Sequence, residues 1–343
     1  MKKYKFAIIG ATGMVGRTFL KVMSERNLPI EELYLFASKK SAGKSIEFCA
    51  KEYKVIELTP ENIKGKEIDI ALFSAGGSVS AEYAPKFTSL GAVVIDNSSY
   101  WRMDNGVPLI VPEVNPLAIK DYKIKHIIAN PNCSTIQAMP ILRPLNDKYG
   151  LKRVVFSTYQ AVSGAGMGGI SDLNNGINGI PPKKMQHQIA FNCIPHIDIY
   201  LENGYFKEEQ KMIDETRKIL GLNDLRVTAT TVRVPVKNGH SESINIELMH
   251  DFNDIDEIRE VLRTQSGLIV TDDPKNNVYP MPIDADGRDE IFVGRIRRDF
   301  SVDSGINLFC CADNIRKGAA TNAVQIAELL INYFDMEEEH EHF

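Results

Sequence analysis

The segment Asn130-Pro131-Asn132-Cys133-Ser134-Thr135 lies between a short apolar run, Ile127 to Ala129, and a stretch from Ser134 to Asn146 that reads as helical. The Cys133 thiol therefore stands near the positive end of a helix dipole, a setting that lowers a thiol pKa and favours thiolate. Its polar flanks set it apart from Cys49, Cys193, Cys310 and Cys311, which read as inert core residues; the last two fall inside the apolar strand Ile306 to Ala312. Five cysteines form an odd set without framework spacing, so at least one thiol should be free. No CxxC pair or HExxH segment offers a cage for a metal, and none is expected.

A second reactive feature is Gly10-Ala11-Thr12-Gly13-Met14-Val15-Gly16, which follows an apolar run and opens a helical pattern in Val15, Phe19, Val22 and Met23. Backbone amides from Gly10, Thr12, Gly13, Met14 and Val15, at a helix N-terminus, suit a pyrophosphate. The spacing is GxxGxxG and not GxGxxG, so the flanking strand and helix carry the assignment. An NAD site usually has an Asp or Glu about twenty residues past the glycines, on the ribose hydroxyls. None stands there. Ser38, Lys39, Lys40, Ser41 and Lys44 instead supply hydroxyl and ammonium groups fit for a 2′-phosphate, which predicts NADP over NAD. A cysteine nucleophile beside a nicotinamide means acyl chemistry, because the thioester it forms accepts hydride at carbon.

The elements that must position these groups follow from periodicity. Lys5 to Gly10, Leu33 to Ala37, Ile68 to Phe73 and Ala92 to Ile95 are nearly continuous in apolar residues, as strands covered on both faces of a parallel sheet are. A helix is expected over Ser80 to Leu90, after the turn Ser74-Ala75-Gly76-Gly77. Beyond Asn146 the pattern shifts to alternating strands, Val154 to Tyr159, Arg226 to Val234 and Ile244 to Leu248, with helices at Glu208 to Leu220 and Ile255 to Thr264. The fold class is α/β: a Rossmann-like, doubly wound nucleotide-binding domain over 1–130, then an α+β domain over 131–317 with an open, partly antiparallel sheet whose helices cover one face. An amphipathic helix in 318–343, running from Ala319 to Tyr333, packs back on the first domain. The acidic tail from Met336, with His340 and His342, reads as a frayed, solvated end.

Composition narrows the function classes. Over 343 residues, 43% are apolar and 25% charged, the balance of a globular protein with a large core. The net charge of −5 and the scattered basic residues argue against nucleic acid as a partner. No apolar run reaches the length of a membrane span and no signal-peptide pattern opens the chain, so a cytoplasmic location is expected.

Five segments together resemble the bacterial-type aspartate-semialdehyde dehydrogenases: GATGMVG, SAGGSVS from Ser74, NPNCST, YQAVSGAG from Tyr159 and RVPVKNGHSES from Arg233. The basic loop ASKKSAGK also resembles that family's NADP loop, with Lys40 where an arginine is often seen. The resemblance implies NADPH-dependent reductive dephosphorylation of 4-phospho-L-aspartate to L-aspartate 4-semialdehyde and phosphate, in lysine, diaminopimelate, threonine and methionine biosynthesis. It implies Cys133 as nucleophile, Gln160 orienting the acyl group and His240 as acid/base. Arg233 would pair with the substrate carboxylate and Glu208 would face its amino group, Glu209 being the neighbouring alternative. Arg102, Lys211 and Asn132 would receive phosphate, and Ala75, Gly76, Ser163 and Gly164 would line the cofactor. A homodimer formed through the second domain is implied as well. N-acetyl-glutamyl-phosphate reductase shares this layout, but it typically has glycine before its cysteine and lacks a counterpart of Arg233 to His240. A redox sensor that binds NADP without catalysis need not keep Cys133, Gln160 and His240 together.

Overall fold

Phe6, Ala7, Ile8 and Ile9 are all fully buried, the pattern of a strand with layers on both faces. In the computed structural model, which describes residues 2–341, they form the middle of a seven-stranded sheet. Its strands are β1 (Tyr4–Ile9), β2 (Ile30–Ala37), β3 (Ser45–Phe48), β4 (Lys51–Glu57), β5 (Ile70–Phe73), β6 (Val93–Asp96) and β7 (Ile127–Ala129), in the order β3-β4-β2-β1-β5-β6-β7. All neighbours are parallel except β3 and β4. The order reverses at β1, the topological switch point beside which doubly wound sheets bind nucleotides.

The chain divides into two compact units, Met1–Pro131 with Ala319–Phe343, and Asn132–Gly318. In the first, Ala320, Ala323, Val324, Ile326, Ala327, Leu330 and Ile331 share a core with Tyr4, Phe6, Ile8 and Phe19. The expected helix from Ala319 begins instead as a π-helical turn, Arg316–Thr321, and continues as an α-helix over Asn322–Glu341. The acidic residues after Met336 thus extend the helix to Glu341, and His342 and Phe343 lie outside the described residues. No helix among the described residues is long and apolar enough to cross a membrane.

The second unit is built on β8 (Leu151–Gln160), β9 (Arg226–Arg233), β10 (His240–Leu248), β11 (Leu268–Val270), β12 (Ile291–Arg298) and β13 (Gly305–Ala312). The sheet order is β11-β12-β13-β10-β8-β9, mixed in direction, with β8 antiparallel to β10 and parallel to β9. Period-two burial is clear: Phe156, Thr158 and Gln160 on β8, Ala229, Thr231 and Arg233 on β9, and His240, Glu242, Ile244 and Ile246 on β10 all turn inward. The helices Cys133–Tyr149 and Lys207–Leu220 pack on these strands. Tyr159 and Phe309 lie on the other face, with their rings 6.1 Å apart.

Two glycines of the first unit test how tightly its nucleotide loop is built. Gly10 has φ +87°, and a Cβ there would lie 2.6 Å from the Ser74 carbonyl oxygen, whereas at Gly43, φ +81°, nothing lies within 4 Å. Gly10→Ala should therefore lower stability in urea by about 3 kcal/mol or more, and Gly43→Ala by about 1 kcal/mol, the strain of a left-handed alanine. Equal losses would contradict the close approach of the two loops.

Candidate active site

Gln160 and Arg233 are register partners at the ends of β8 and β9, and His240 opens β10 one position beyond the Tyr159–Ser241 pair. Strand alternation thus sets three polar side chains in a row on the inner face, at one end of the sheet. Cys133 is the first residue of the helix Cys133–Tyr149, whose N-cap is Asn132. Asn132 Oδ1 accepts from the amides of Ser134 and Thr135 at 3.0 and 3.4 Å, and its own amide donates to Glu215 Oε2 at 2.6 Å. The cap fixes the first turn and leaves the Cys133 thiol half-buried in the dipole's positive field. A Cβ at Gly318 would come within 3.0 Å of Cys133 Cβ, so a side chain there would crowd Cys133. Nothing in the sequence marked Gly318.

Glu208 joins these pieces. Its Oε1 accepts from Asn132 Nδ2 at 2.9 Å and from Gln160 Nε2 at 3.1 Å, and its Oε2 accepts from Lys211 Nζ at 3.0 Å. Burial alone would raise its pKa, but Lys211 and the two amides outweigh burial and hold the carboxyl down to about 2. Lys211 also donates to Asp198 Oδ2 at 2.6 Å. Glu209, the neighbouring alternative, faces another way: it accepts from the amides of Phe206 and Thr231, which ties the start of its helix to β9.

Arg233 and His240 meet at the backbone of Ala161. The Ala161 amide donates to His240 Nδ1 at 3.0 Å, and the Ala161 carbonyl accepts from Arg233 Nη1 at 2.7 Å. Burial, with the Arg233 cation beside it, pushes the imidazole pKa down to about 3 against a partial offset from Glu208. Its Nε2 is buried without a hydrogen-bond partner. Gly164, expected at the cofactor, lies against both side chains: a Cβ there would be 2.8 Å from Arg233 Nη1 and 3.2 Å from His240 Nε2. The Ser163 hydroxyl is engaged by Asn238 and Asn314.

The remaining cofactor candidates, and Arg102, lie in the first unit. Gly13 and Gly76 cap the helices Met14–Glu25 and Gly77–Thr88, and in neither case does a side chain take up the N-terminal amides. Thr12 Oγ1 donates to Ser41 Oγ at 3.3 Å, linking the glycine turn to the loop where Ser38, Lys39 and Lys40 are exposed. Arg102 is buried, and its guanidinium donates to the carbonyls of Asn97 and Asn130 beyond β6 and β7. The inert-core reading of the other cysteines holds for Cys310 and Cys311, whose thiols burial pushes up, Cys311 to about 12. It fails for Cys49 and Cys193, which are exposed. Cys49 sits in the tight turn between β3 and β4 with φ +48°, outside any apolar layer.

Two family models match the chain: semialdehyde dehydrogenase, NAD binding domain, over residues 5–122, and semialdehyde dehydrogenase, dimerisation domain, over residues 142–317. The aspartate-semialdehyde dehydrogenase of Aquifex aeolicus is 60% identical over 335 residues, covering 96% of this chain and 98% of that protein. The crystal structure of aspartate semialdehyde dehydrogenase II from Vibrio cholerae complexed with ASA matches with a TM-score of 0.91 at 45% identity, over 97% of this chain and 99% of that one. The crystal structure of aspartate semialdehyde dehydrogenase with NADP from Candida albicans matches at a TM-score of 0.75 and 27% identity, over 96% and 98% of the two chains.

The depressed imidazole has a measurable cost. Its folded pKa of about 3 lies below the ordinary 6.5, so as pH falls the unfolded chain takes up the proton first. Stability is full above 6.5 and is lost progressively between 6.5 and 3. From pH 7.5 to 5 the native protein should lose about 2 kcal/mol more in urea denaturation than His240→Gln does. Equal losses would show that the ring is not held neutral.

Proposed function

The chain belongs to the aspartate-semialdehyde dehydrogenase family, and on that premise we propose that Cys133 is the nucleophile of an NADP-dependent reductive dephosphorylation of 4-phospho-L-aspartate. The observation that carries this reading is the convergence within one unit of a helix-start thiol, Cys133, with Glu208, Gln160, Arg233 and His240.

The substrate presents a carboxylate, an ammonium group and an acyl phosphate. Arg233 and Glu208, of opposite charge, complement the first two; a planar guanidinium suits a carboxylate, and Glu208 keeps its charge at neutral pH. The Cys133 sulfur attacks the acyl carbon, phosphate leaves with the electron pair of the broken C–O bond, and a thioester remains. Lys211, from the same helix as Glu208, supplies positive charge for the departing phosphate. Gln160 and His240 hold the acyl group and its oxygen. NADP suits the first unit: the glycine turn leaves no room for a side chain at Gly10, the helix-start amides are uncapped, and Ser38, Lys39, Lys40 and Ser41 offer hydroxyls and ammonium groups with no carboxylate among them. When bound in its reduced form, that cofactor supplies the hydride that turns the thioester into the aldehyde. The match of residues 142–317 to a dimerisation domain supports a homodimer, and five free cysteines suit the cytoplasm.

Cys133→Ser should abolish turnover, by about 1000-fold or more, while NADPH binding measured by fluorescence stays intact. Near-normal turnover of that variant would sink the proposal. The two glutamates should separate cleanly. Glu208→Gln should lower kcat/KM by at least about tenfold, since it removes the charge opposite the ammonium group. Glu209→Ala should leave KM nearly unchanged and cost about 2 kcal/mol of stability through the two lost bonds from the Phe206 and Thr231 amides. The reverse pattern would exchange their roles.

A further inference from the structure

Below the row of Gln160 and His240 lies a second buried polar layer that the reaction does not use. Glu242, two residues on from His240 along β10, is wholly buried, with Thr158 on β8 and Cys310 on β13 as its register partners. Gln137, four residues after Cys133 in the helix Cys133–Tyr149, is equally buried and is the polar side chain that acts on the Glu242 carboxyl. Donors fall short there. The Thr158 hydroxyl is given to Gln160 Oε1 at 3.0 Å, and Gln137 Nε2 turns to the Cys310 sulfur at 3.9 Å. Among the described residues, both Glu242 oxygens and Gln137 Oε1 are left as buried acceptors without a donor. A carboxylate beside another orphan acceptor would be strongly disfavoured, whereas one proton on the carboxyl supplies the missing donor. The titratable groups facing it are Cys310 and Cys311 from β13, both kept neutral by burial, while Thr158 from β8 and Gln137 from the helix carry no charge. Burial accordingly raises the Glu242 pKa well above 4.5.

The pair joins helix and strand in step with the site. The helix Cys133–Tyr149 turns at Gly150 into β8, which is antiparallel to β10, so the helix and β10 run the same way. At their far ends the amides of Met249 and His250 donate to the carbonyls of Gly150 and Tyr149, both at 3.0 Å. Four helical residues rise about 6 Å and two strand residues about 6.8 Å. Setting Gln137 against Glu242 therefore sets Cys133 against the row that holds His240, where the Cys133 sulfur acts on the charge of Arg233. We propose that Glu242 is a positioning residue for the reaction: as a neutral acid it donates to Gln137 Oε1 and so fixes the start of the Cys133 helix against β10. This rests on the reading of Cys133 as the nucleophile.

Two sets of measurements on the full-length protein test this. Glu242→Met, close in length but without a donor, should lower kcat about tenfold or more, with KM for L-aspartate 4-semialdehyde and NADPH affinity nearly unchanged. Glu242→Gln restores a donor without a charge and should stay within about threefold of the native rate. Gln137→Met should lose as much as Glu242→Met, and the double variant no more than either. The second set reads the proton itself. The folded chain holds it at pH values where the unfolded chain, with an ordinary carboxyl, has released it, so the stability it gives is full below 4.5 and is lost as pH rises. From pH 5 to 8 the folding constant in urea should therefore fall, relative to that of Glu242→Gln, by up to about tenfold per pH unit. Gln137→Met and the pH series carry the test even if Glu242→Met does not fold. A folded Glu242→Met with the native kcat, a glutamine variant as slow as methionine, additive losses in the double variant, or parallel pH profiles would each overturn the positioning role. Near-normal turnover of Cys133→Ser would instead overturn the reading of Cys133 and leave the neutral pair standing.

Discussion

A single buried carboxylate, that of Glu208, sets the distances on which the site depends. Left alone in that position it would take up a proton and lose its charge. It stays ionised because its donors come from three separate pieces of chain: Asn132 before one helix, Gln160 at the end of β8, and Lys211 one turn along its own helix. Those donors in turn acquire fixed places. Asn132 is also the N-cap of the helix that begins with Cys133, so the position of the thiol is referred through one side chain to the end of the sheet that bears Arg233 and His240. A charge of this kind costs desolvation, and its return is geometric definition more than stability.

Much of this was legible in the residues, for reasons that can be stated. Cys133 stands out because polar flanks interrupt two apolar patterns, and its helix start makes the chemistry local. The inward places of Gln160 and Arg233 follow from alternation along Val154 to Tyr159 and Arg226 to Val234. The hairpin of β3 and β4 escaped because its sequences, SIEF and KEYKVIE, mix apolar and charged residues at the sheet's edge and carry little signal. The choice between Glu208 and Glu209 was hidden for a different reason. Both begin the same charged helix, and what separates them is a long-range partner, the Thr231 amide for one and the Asn132 and Gln160 side chains for the other. Ala161 acts only through its backbone, and Gly318 only by having no side chain, so composition and spacing are silent about both.

The Ala161 backbone gives the side chains of Arg233 and His240 a common support. Its two polar groups point to opposite needs: the carbonyl restrains a cation and the amide restrains a lone pair. Gly164 completes the arrangement by closing on both side chains without a Cβ. The Arg233 and His240 side chains are therefore both held by the two peptide planes that meet at Ala161, and a shift of that residue would disturb both together.

The core of the first unit is assembled from two distant stretches, its sheet from residues before Pro131 and the packing helix from residues after Gly318. During synthesis the ribosome releases the sheet strands long before the helix that covers them, while every residue of the second unit emerges in one continuous run. The nucleotide-binding unit, first in the chain, is thus the later of the two to mature, and until Ala323, Ile326 and Leu330 arrive its apolar face waits uncovered. That interval is where a chaperone would have the most to do.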